Sequence, residues 1–205
     1  MKDNLTELFI ILDRSGSMLP LTADTIGGYN SLIEQQRKLE GEMRVTTVLF
    51  DDEYDLLYDT VDINEIPPLT EDTYFARGST ALLDAVGKTI DAAGLRYSRM
   101  FESDRPSKVI FAITTDGMEN ASREYTLERV KNLIEQKKEK YGWEFLFFGA
   151  NIDAFGAARS MGISARQTMQ FSHDAAGVEA CFEHMSCSIS EMRSAFFRKK
   201  EENDD

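Results

Sequence analysis

Three short stretches of this sequence carry hydroxyls and carboxylates at spacings that suit a hard cation. Asp13-Arg14-Ser15-Gly16-Ser17 sets a carboxylate and two hydroxyls at alternate positions, with a glycine between the serines that can take a tight bend. Gly78-Ser79-Thr80 offers a third hydroxyl, and Thr114-Thr115-Asp116-Gly117 a second carboxylate. Together Asp13, Ser15, Ser17, Thr80 and Asp116 form an all-oxygen donor set. Two carboxylates roughly cancel one divalent cation, and hydroxyls add no negative charge. If one carboxylate acts only through water, the metal stays electrophilic and can accept a carboxylate from outside. Mg²⁺ keeps several waters and takes one or two carboxylates, whereas Ca²⁺ usually takes more ligands. No His or Cys is near these stretches in sequence, which disfavours zinc and copper.

Taken singly, each stretch has an ordinary explanation. Asp-x-Ser-x-Ser can be a turn whose serines cap the next helix. Thr80 can cap the helix that follows it, and Asp-Gly after a strand is a common turn. Their joint meaning depends on the elements that carry them.

Leu8-Phe9-Ile10-Ile11-Leu12 is a continuous apolar run, as expected of a central strand covered on both faces. A helical pattern follows at Thr25–Leu39, then strands at Met43–Phe50 and Tyr54–Thr60, joined at Asp51-Asp52-Glu53 as an edge hairpin. That acidic turn reads as a solvated hairpin tip rather than a second cation site. Beyond the loop at Pro67-Pro68, Ala81–Ala93 reads as a helix, Val109–Thr114 as a strand and Tyr125–Lys140 as a helix with a charged outer side. Trp143–Phe148 is a strand, Asp153–Met161 a short helix that Asp153 can cap, and Thr168–Phe171 a short last strand. Asp174–Arg198 is helical, with Phe182, Met185, Ile189, Met192 and Phe196 as a packing stripe. Strand–helix alternation of this kind predicts a doubly wound α/β fold: a mostly parallel sheet, one antiparallel edge strand and helices on both faces. One domain is expected over residues 1–198, followed by a charged tail at 199–205. In such sheets ligands sit beyond the carboxyl ends of the strands, where strand order reverses. If the first strand and Val109–Thr114 are neighbours there, Asp13 and Asp116 face one crevice.

The strand followed by Asp13-x-Ser15-x-Ser17, then Gly78-Ser79-Thr80 before a helix, then Thr115-Asp116-Gly117 after a strand, resembles the metal-ion-dependent adhesion site of von Willebrand factor type A domains. The five metal positions of that family are matched by Asp13, Ser15, Ser17, Thr80 and Asp116, and the element order agrees from about Leu5 to the final helix. The resemblance implies a Rossmann-like sandwich in which the serines and threonine bind the metal directly. The aspartates act directly or through water, and a Glu or Asp of a partner often completes the shell. It also implies an adaptor role, since intracellular members commonly serve as subunits of larger assemblies, some beside AAA-type ATPases. Together with the adaptable Met and Phe stripe, it leads to the expectation that the final helix shifts when the shell is completed. Glu119 and Asn120, just after the third stretch, are candidates for a partner-binding rim.

A Mg²⁺-dependent phosphatase of the haloacid dehalogenase type also places an aspartate after its first strand, but needs a second one two residues on, where this chain has Ser15. A dinucleotide enzyme needs a Gly-rich turn there. His173 and His184 lie late in the chain and read as surface or packing residues, leaving metal-assisted hydrolysis without a base. A scaffold with a vestigial site is the remaining alternative. The expectation is therefore a protein-binding module with Mg²⁺ or Mn²⁺, Ca²⁺ being disfavoured, and no catalysis.

The net charge of −13 over 205 residues excludes nucleic acid and anionic membranes as default partners. It fits a protein partner whose contact patch is basic around one exposed Asp or Glu. No apolar stretch is long enough for a membrane span. The N-terminus is acidic where a signal peptide needs basic and then apolar residues, so a cytoplasmic protein is expected. Cys181 and Cys187 read as two reduced, packed thiols, too far apart along one helix for a disulfide. A monomer is expected in the absence of its partner.

Overall fold

Strand β1 (Lys2–Asp13) holds the middle of the sheet, because side chains on both of its faces are apolar and buried from Leu8 to Leu12. The computed structural model describes residues 1–204, with side chains for all of these except Asp3 and 195–204. Strands β2 (Glu42–Phe50), β3 (Tyr54–Asp62), β4 (Pro106–Thr115), β5 (Glu144–Ala150) and β6 (Thr168–Phe171) complete one sheet in the order β3-β2-β1-β4-β5-β6. All neighbours are parallel except β2 and β3, the antiparallel edge pair. The chain goes from β1 to one side for β2 and β3 and to the other for β4, so strand order reverses between β1 and β4.

Alternate residues of β1 build two cores. Leu8, Ile10 and Leu12 meet Tyr29, Leu32 and Ile33 of α1 (Thr22–Arg37) and Val178, Phe182, Met185 and Ile189 of α5 (Ala175–Asp204). Phe9 and Ile11 meet α2 (Leu82–Arg99), α3 (Leu127–Tyr141) and α4 (Ala154–Ser160). The rings of Phe9 and Phe111 stack across β1 and β4 with centroids 4.4 Å apart. This is the doubly wound sandwich expected from the alternation.

Several boundaries differ for visible reasons. β1 begins six residues before its apolar run, where Lys2 N–H already donates to the Arg105 carbonyl. Helix α2 continues through Gly94 to Arg99 because Tyr97 on its last turns is buried against Trp143. Helix α3 starts after Thr126, whose hydroxyl accepts the Arg129 N–H, and stops at Gly142 in the left-handed region, φ 65°. Of the two thiols only Cys181 is packed. Cys187 is exposed, because the helix turns it away from the core. The side chain of Phe196 and the tail expected at 199–205 lie outside the described side chains, and Asp205 lies outside the described residues altogether. Among the described residues no helix is long and apolar enough to cross a membrane.

Candidate functional site

Leu12 pairs with Thr114, so the last residues of β1 and β4, Asp13 and Thr115, stand side by side at the carboxyl end of the sheet. Thr115 donates its hydroxyl hydrogen to Asp13 Oδ2 at 2.6 Å, and the Ser15 N–H donates to Oδ1 at 2.7 Å. The Asp13 carbonyl accepts the hydroxyl of buried Tyr74 at 2.7 Å. Both carboxylate oxygens of Asp13 are thus held by the protein.

The other candidates converge beside it. Ser17 donates to Asp116 Oδ1 at 2.6 Å, and its Oγ lies 3.2 Å from Ser15 Oγ. Since the single Ser17 proton goes to Asp116, Ser15 is the donor in that second pair. A Cβ placed on Gly117 would lie 3.1 Å from Thr80 Oγ1 and 3.6 Å from Ser17 Oγ, so both hydroxyls line the space that this glycine leaves open. The sequence-predicted set Asp13, Ser15, Ser17, Thr80 and Asp116 is therefore one cluster. Thr80 does not cap α2: the cap residue is Ala81, without a side-chain hydrogen bond.

Asp13 and Asp116 are both buried, and among the described residues neither has a Lys or Arg partner. Burial pushes the Asp13 carboxyl up to about 6, against the hydrogen bonds of Thr115 and Ser15, and nearby Asp116 pushes the same way. Two buried carboxylates stand here with no Lys or Arg against either of them among the described residues.

Arg14 shows what holds the loop. Lying between two candidate ligands, it points the other way, buried, onto Asp51 Oδ2 at 2.9 Å and Asp55 at 3.0 Å. Arg77 reaches the same Asp51 oxygen at 2.7 Å, and both guanidinium groups lie over the Phe75 ring. Burial pushes the Asp51 carboxyl upward, but hydrogen bonds from Arg77, the Glu53 N–H and Arg14 outweigh it and hold the group below its ordinary value. The expectation of a solvated tip holds for Asp52 and Glu53, which are exposed, and is corrected for Asp51 alone: it is fully buried as the counter-ion that anchors two loops. Gly78, at φ 65°, accepts the Gly16 N–H at 3.1 Å on its carbonyl; a Cβ on it would stand 1.9 Å from Asp52 Oδ1.

Glu119 and Asn120 border the cluster but bond inward. The Glu119 carboxylate accepts the N–H groups of Leu83, Ala121 and Ser122 and the Ser122 hydroxyl, while Asn120 Oδ1 accepts the Thr80 N–H at 3.0 Å. Asp84 accepts three further N–H groups, of Arg123, Glu124 and Tyr125. These side chains fasten the loop after β4 to the start of α2, and so fix Thr80 against Asp116.

One residue of the site was misread from sequence. His173, expected on the surface or in packing, lies with Nε2 2.7 Å from Asp116 Oδ2 and 3.2 Å from the Ser17 carbonyl. It follows β6 directly, so the rule that sites lie beyond strand carboxyl ends applied to it as well. A histidine distant from the site along the sequence is thus next to it in space. His184 packs its edge on Phe148.

The donor chemistry fits a hard divalent cation. Oxygens around an ion at about 2.1 Å stand about 3 Å from one another, and the Ser15–Ser17 and Ser17–Asp116 separations are 3.2 and 2.6 Å. Among the described residues no three His, Cys, Asp or Glu side chains cluster as a ligand set, so hydroxyls have to supply the rest of the shell.

No family model matches the sequence, and no curated protein matches it. Solved structures do. The von Willebrand factor domain of the type V pili tip protein Mfa5 from Porphyromonas gingivalis aligns with a TM-score of 0.63 at 11% identity, over 90% of this chain and 94% of that one. Manganese-loaded TRAP protein of Plasmodium vivax aligns with a TM-score of 0.59 at 17% identity, over 88% of this chain and 73% of that one. Proximal thread matrix protein 1 from the mussel byssus, with a zinc-occupied MIDAS motif, aligns with a TM-score of 0.61 at 14% identity, over 90% of this chain and 46% of that one. This chain spans about half the length of the mussel protein. The likeness establishes the fold: the chain has the von Willebrand factor type A fold.

Proposed function

We propose that this chain is a divalent-cation-dependent protein-binding module. The observation that carries the reading is the convergence of three hydroxyls, Ser15, Ser17 and Thr80, on two buried carboxylates that no Lys or Arg among the described residues meets. Ser15, Ser17 and Thr80 would hold the ion directly, Asp116 directly or through water, and Asp13 through water. Such an ion, Mg²⁺ or Mn²⁺ with Ca²⁺ disfavoured, supplies an electrophilic position that an Asp or Glu of the partner can fill. The manganese- and zinc-bearing structures of the same fold support a divalent cation in general.

The partner is proposed as a protein with a basic contact patch around one exposed carboxylate. Screening confines the repulsion between that carboxylate and the acidic chain to about 8 Å at physiological salt. An intracellular adaptor in the cytoplasm, monomeric when alone and joining an ATPase-containing assembly, completes the proposal. Glu119 and Asn120 would act there by shaping the rim. Binding is favoured over hydrolysis even with His173 at the site, because its Nε2 faces two acceptors and therefore carries a proton.

The test is calorimetric titration of Mg²⁺ and Mn²⁺ into chelator-treated wild type, Asp13→Ala and Ser15→Ala/Ser17→Ala, each first shown to be folded. Saturable binding that the variants lose is expected, followed by metal-dependent capture of a partner by wild type only. No binding by wild type at about 10 mM, beyond the millimolar Kd that corresponds to about 4 kcal/mol, would remove the resident cation.

A further inference from the structure

We infer that His173 is a positioning residue of the cation site, donating from Nε2 to Asp116 and fixing which way that carboxylate faces. The inference rests on the cation-binding reading and extends it to a residue outside the hydroxyl and carboxylate set.

Two distances decide the role of the ring. Nε2 is 2.7 Å from Asp116 Oδ2 and 3.2 Å from the Ser17 carbonyl oxygen. A carboxylate and a carbonyl are both acceptors, so the nitrogen between them bears the hydrogen, and a protonated ring nitrogen has no lone pair for a metal. Metal ligands are commonly oriented by a hydrogen bond to a group behind them. Here the usual order is reversed: the carboxylate is the ligand and the imidazole stands behind it.

The need for such a group follows from the torsion of Asp116. Rotation about the bond to a carboxylate is soft and close to two-fold. Ser17 holds one Asp116 oxygen at 2.6 Å, and by itself leaves the plane free to tilt. His173 holds the other from a different segment, so the two donors together set the plane. Asp116 has no exposed side-chain surface, and the His173 side chain is 20% exposed, so little water competes for that bond.

The segment that carries His173 is itself fixed. Phe171 pairs with Ala150 at the end of β6. Two residues after the histidine α5 begins, and the Asp174 N–H donates to the Ser172 carbonyl at 2.9 Å, while Asp174 Oδ1 accepts the Gly177 N–H at 2.7 Å. A Cβ on Gly177 would stand 1.9 Å from that Ser172 carbonyl, so the turn closes against bare backbone. The imidazole is therefore delivered by a tight turn rather than by a free loop.

The experiment uses the full chain as wild type, His173→Ala and His173→Gln, each shown to be folded by circular dichroism. Gln can place an amide N–H where Nε2 stands, and Ala cannot. In Mn²⁺ titrations we expect His173→Ala to bind about 10- to 100-fold more weakly and His173→Gln to recover most of that loss. Electron spin-echo spectra of the Mn²⁺-loaded wild type should show no directly bound nitrogen, and ¹⁵N spectra of the chelated protein should show a proton on Nε2. Unchanged affinity in His173→Ala, with wild type still binding Mn²⁺, would overturn the inference and leave the cation site standing. A strong nitrogen coupling, or a bare Nε2, would overturn it in favour of a direct ligand. Wild type that takes up no Mn²⁺ would remove the cation site and this role with it.

Discussion

Thr115 donates its hydroxyl hydrogen to Asp13 Oδ2 at 2.6 Å, so the last residue of one central strand holds the last residue of its neighbour. Thr115→Val keeps the shape of the side chain and removes the hydroxyl, and with it both the donor to Asp13 and the longer 3.3 Å contact from the Gly117 N–H. The chelated variant should lose about 1.5–3 kcal/mol at neutral pH, the range for a hydrogen bond to a charged group. Denaturant unfolding of the two proteins checks this, and an unchanged midpoint would show that the contact contributes nothing.

Burial lifts Asp13 to about 6 from an ordinary 3.8. A carboxyl whose folded value lies above its unfolded one binds the proton more tightly when folded, so its contribution falls as pH rises from about 4 to about 6 and is least favourable above that. The penalty is about 3 kcal/mol if the whole shift is expressed. Chelated wild type should therefore lose stability over that window relative to Asp13→Asn, and Mg²⁺ should restore it at pH 7. Parallel stability profiles for the two proteins would contradict the shift.

Arg14 and Arg77 converge on one oxygen of Asp51, which is fully buried. Asp51→Ala would leave the buried Arg14 guanidinium with only Asp55, at a cost of about 3–5 kcal/mol. Mn²⁺ affinity should fall as well, although no ligand is touched, because the loop between Asp13 and Ser17 is anchored through Arg14. Wild-type affinity in a folded variant would show that the loop keeps its shape unaided.

The expected shift of the final helix meets a specific resistance. Arg193 of α5 is buried, and its guanidinium donates to the backbone carbonyls of Gln36, Glu40 and Gly41 and to the side-chain Oε1 of Gln36, at and just beyond the end of α1. Arg193→Met should remove the guanidinium from those carbonyls and speed hydrogen exchange in α5 and the end of α1. Exchange in α5 should also change when an acidic partner completes the shell. Identical exchange with and without that partner would mean that the helix is fixed.

The clustering of Asp13, Ser15, Ser17, Thr80 and Asp116 was legible in the sequence because each lies within a few residues of a strand end or helix start, and β1 and β4 carry the apolar runs Leu8–Leu12 and Val109–Ile113. What brings them together is less local. Asp51 looked like a solvated turn because its partners, Arg14 and Arg77, are 37 and 26 residues away. His173 is 57 residues from Asp116, and its position depends on β6 lying on the far side of β5. Glu119 looked free for a partner because the backbone N–H groups that it accepts have no signature in side-chain pattern. Charge pairs and caps across distant segments are fixed by packing, and packing is what a single sequence shows least.

Strand β3 forms one outer margin of the sheet, and its course is irregular. Its pairing with β2 shifts register twice, Thr60 sits at φ 59°, and Asp55, Asp59 and Asp62 are exposed along it. A second copy laid against this margin would meet a bent backbone and set its own acids opposite these. Fibril-like growth by strand addition is thereby discouraged at this side of the molecule, a safeguard for a chain whose central strands are apolar enough to template it.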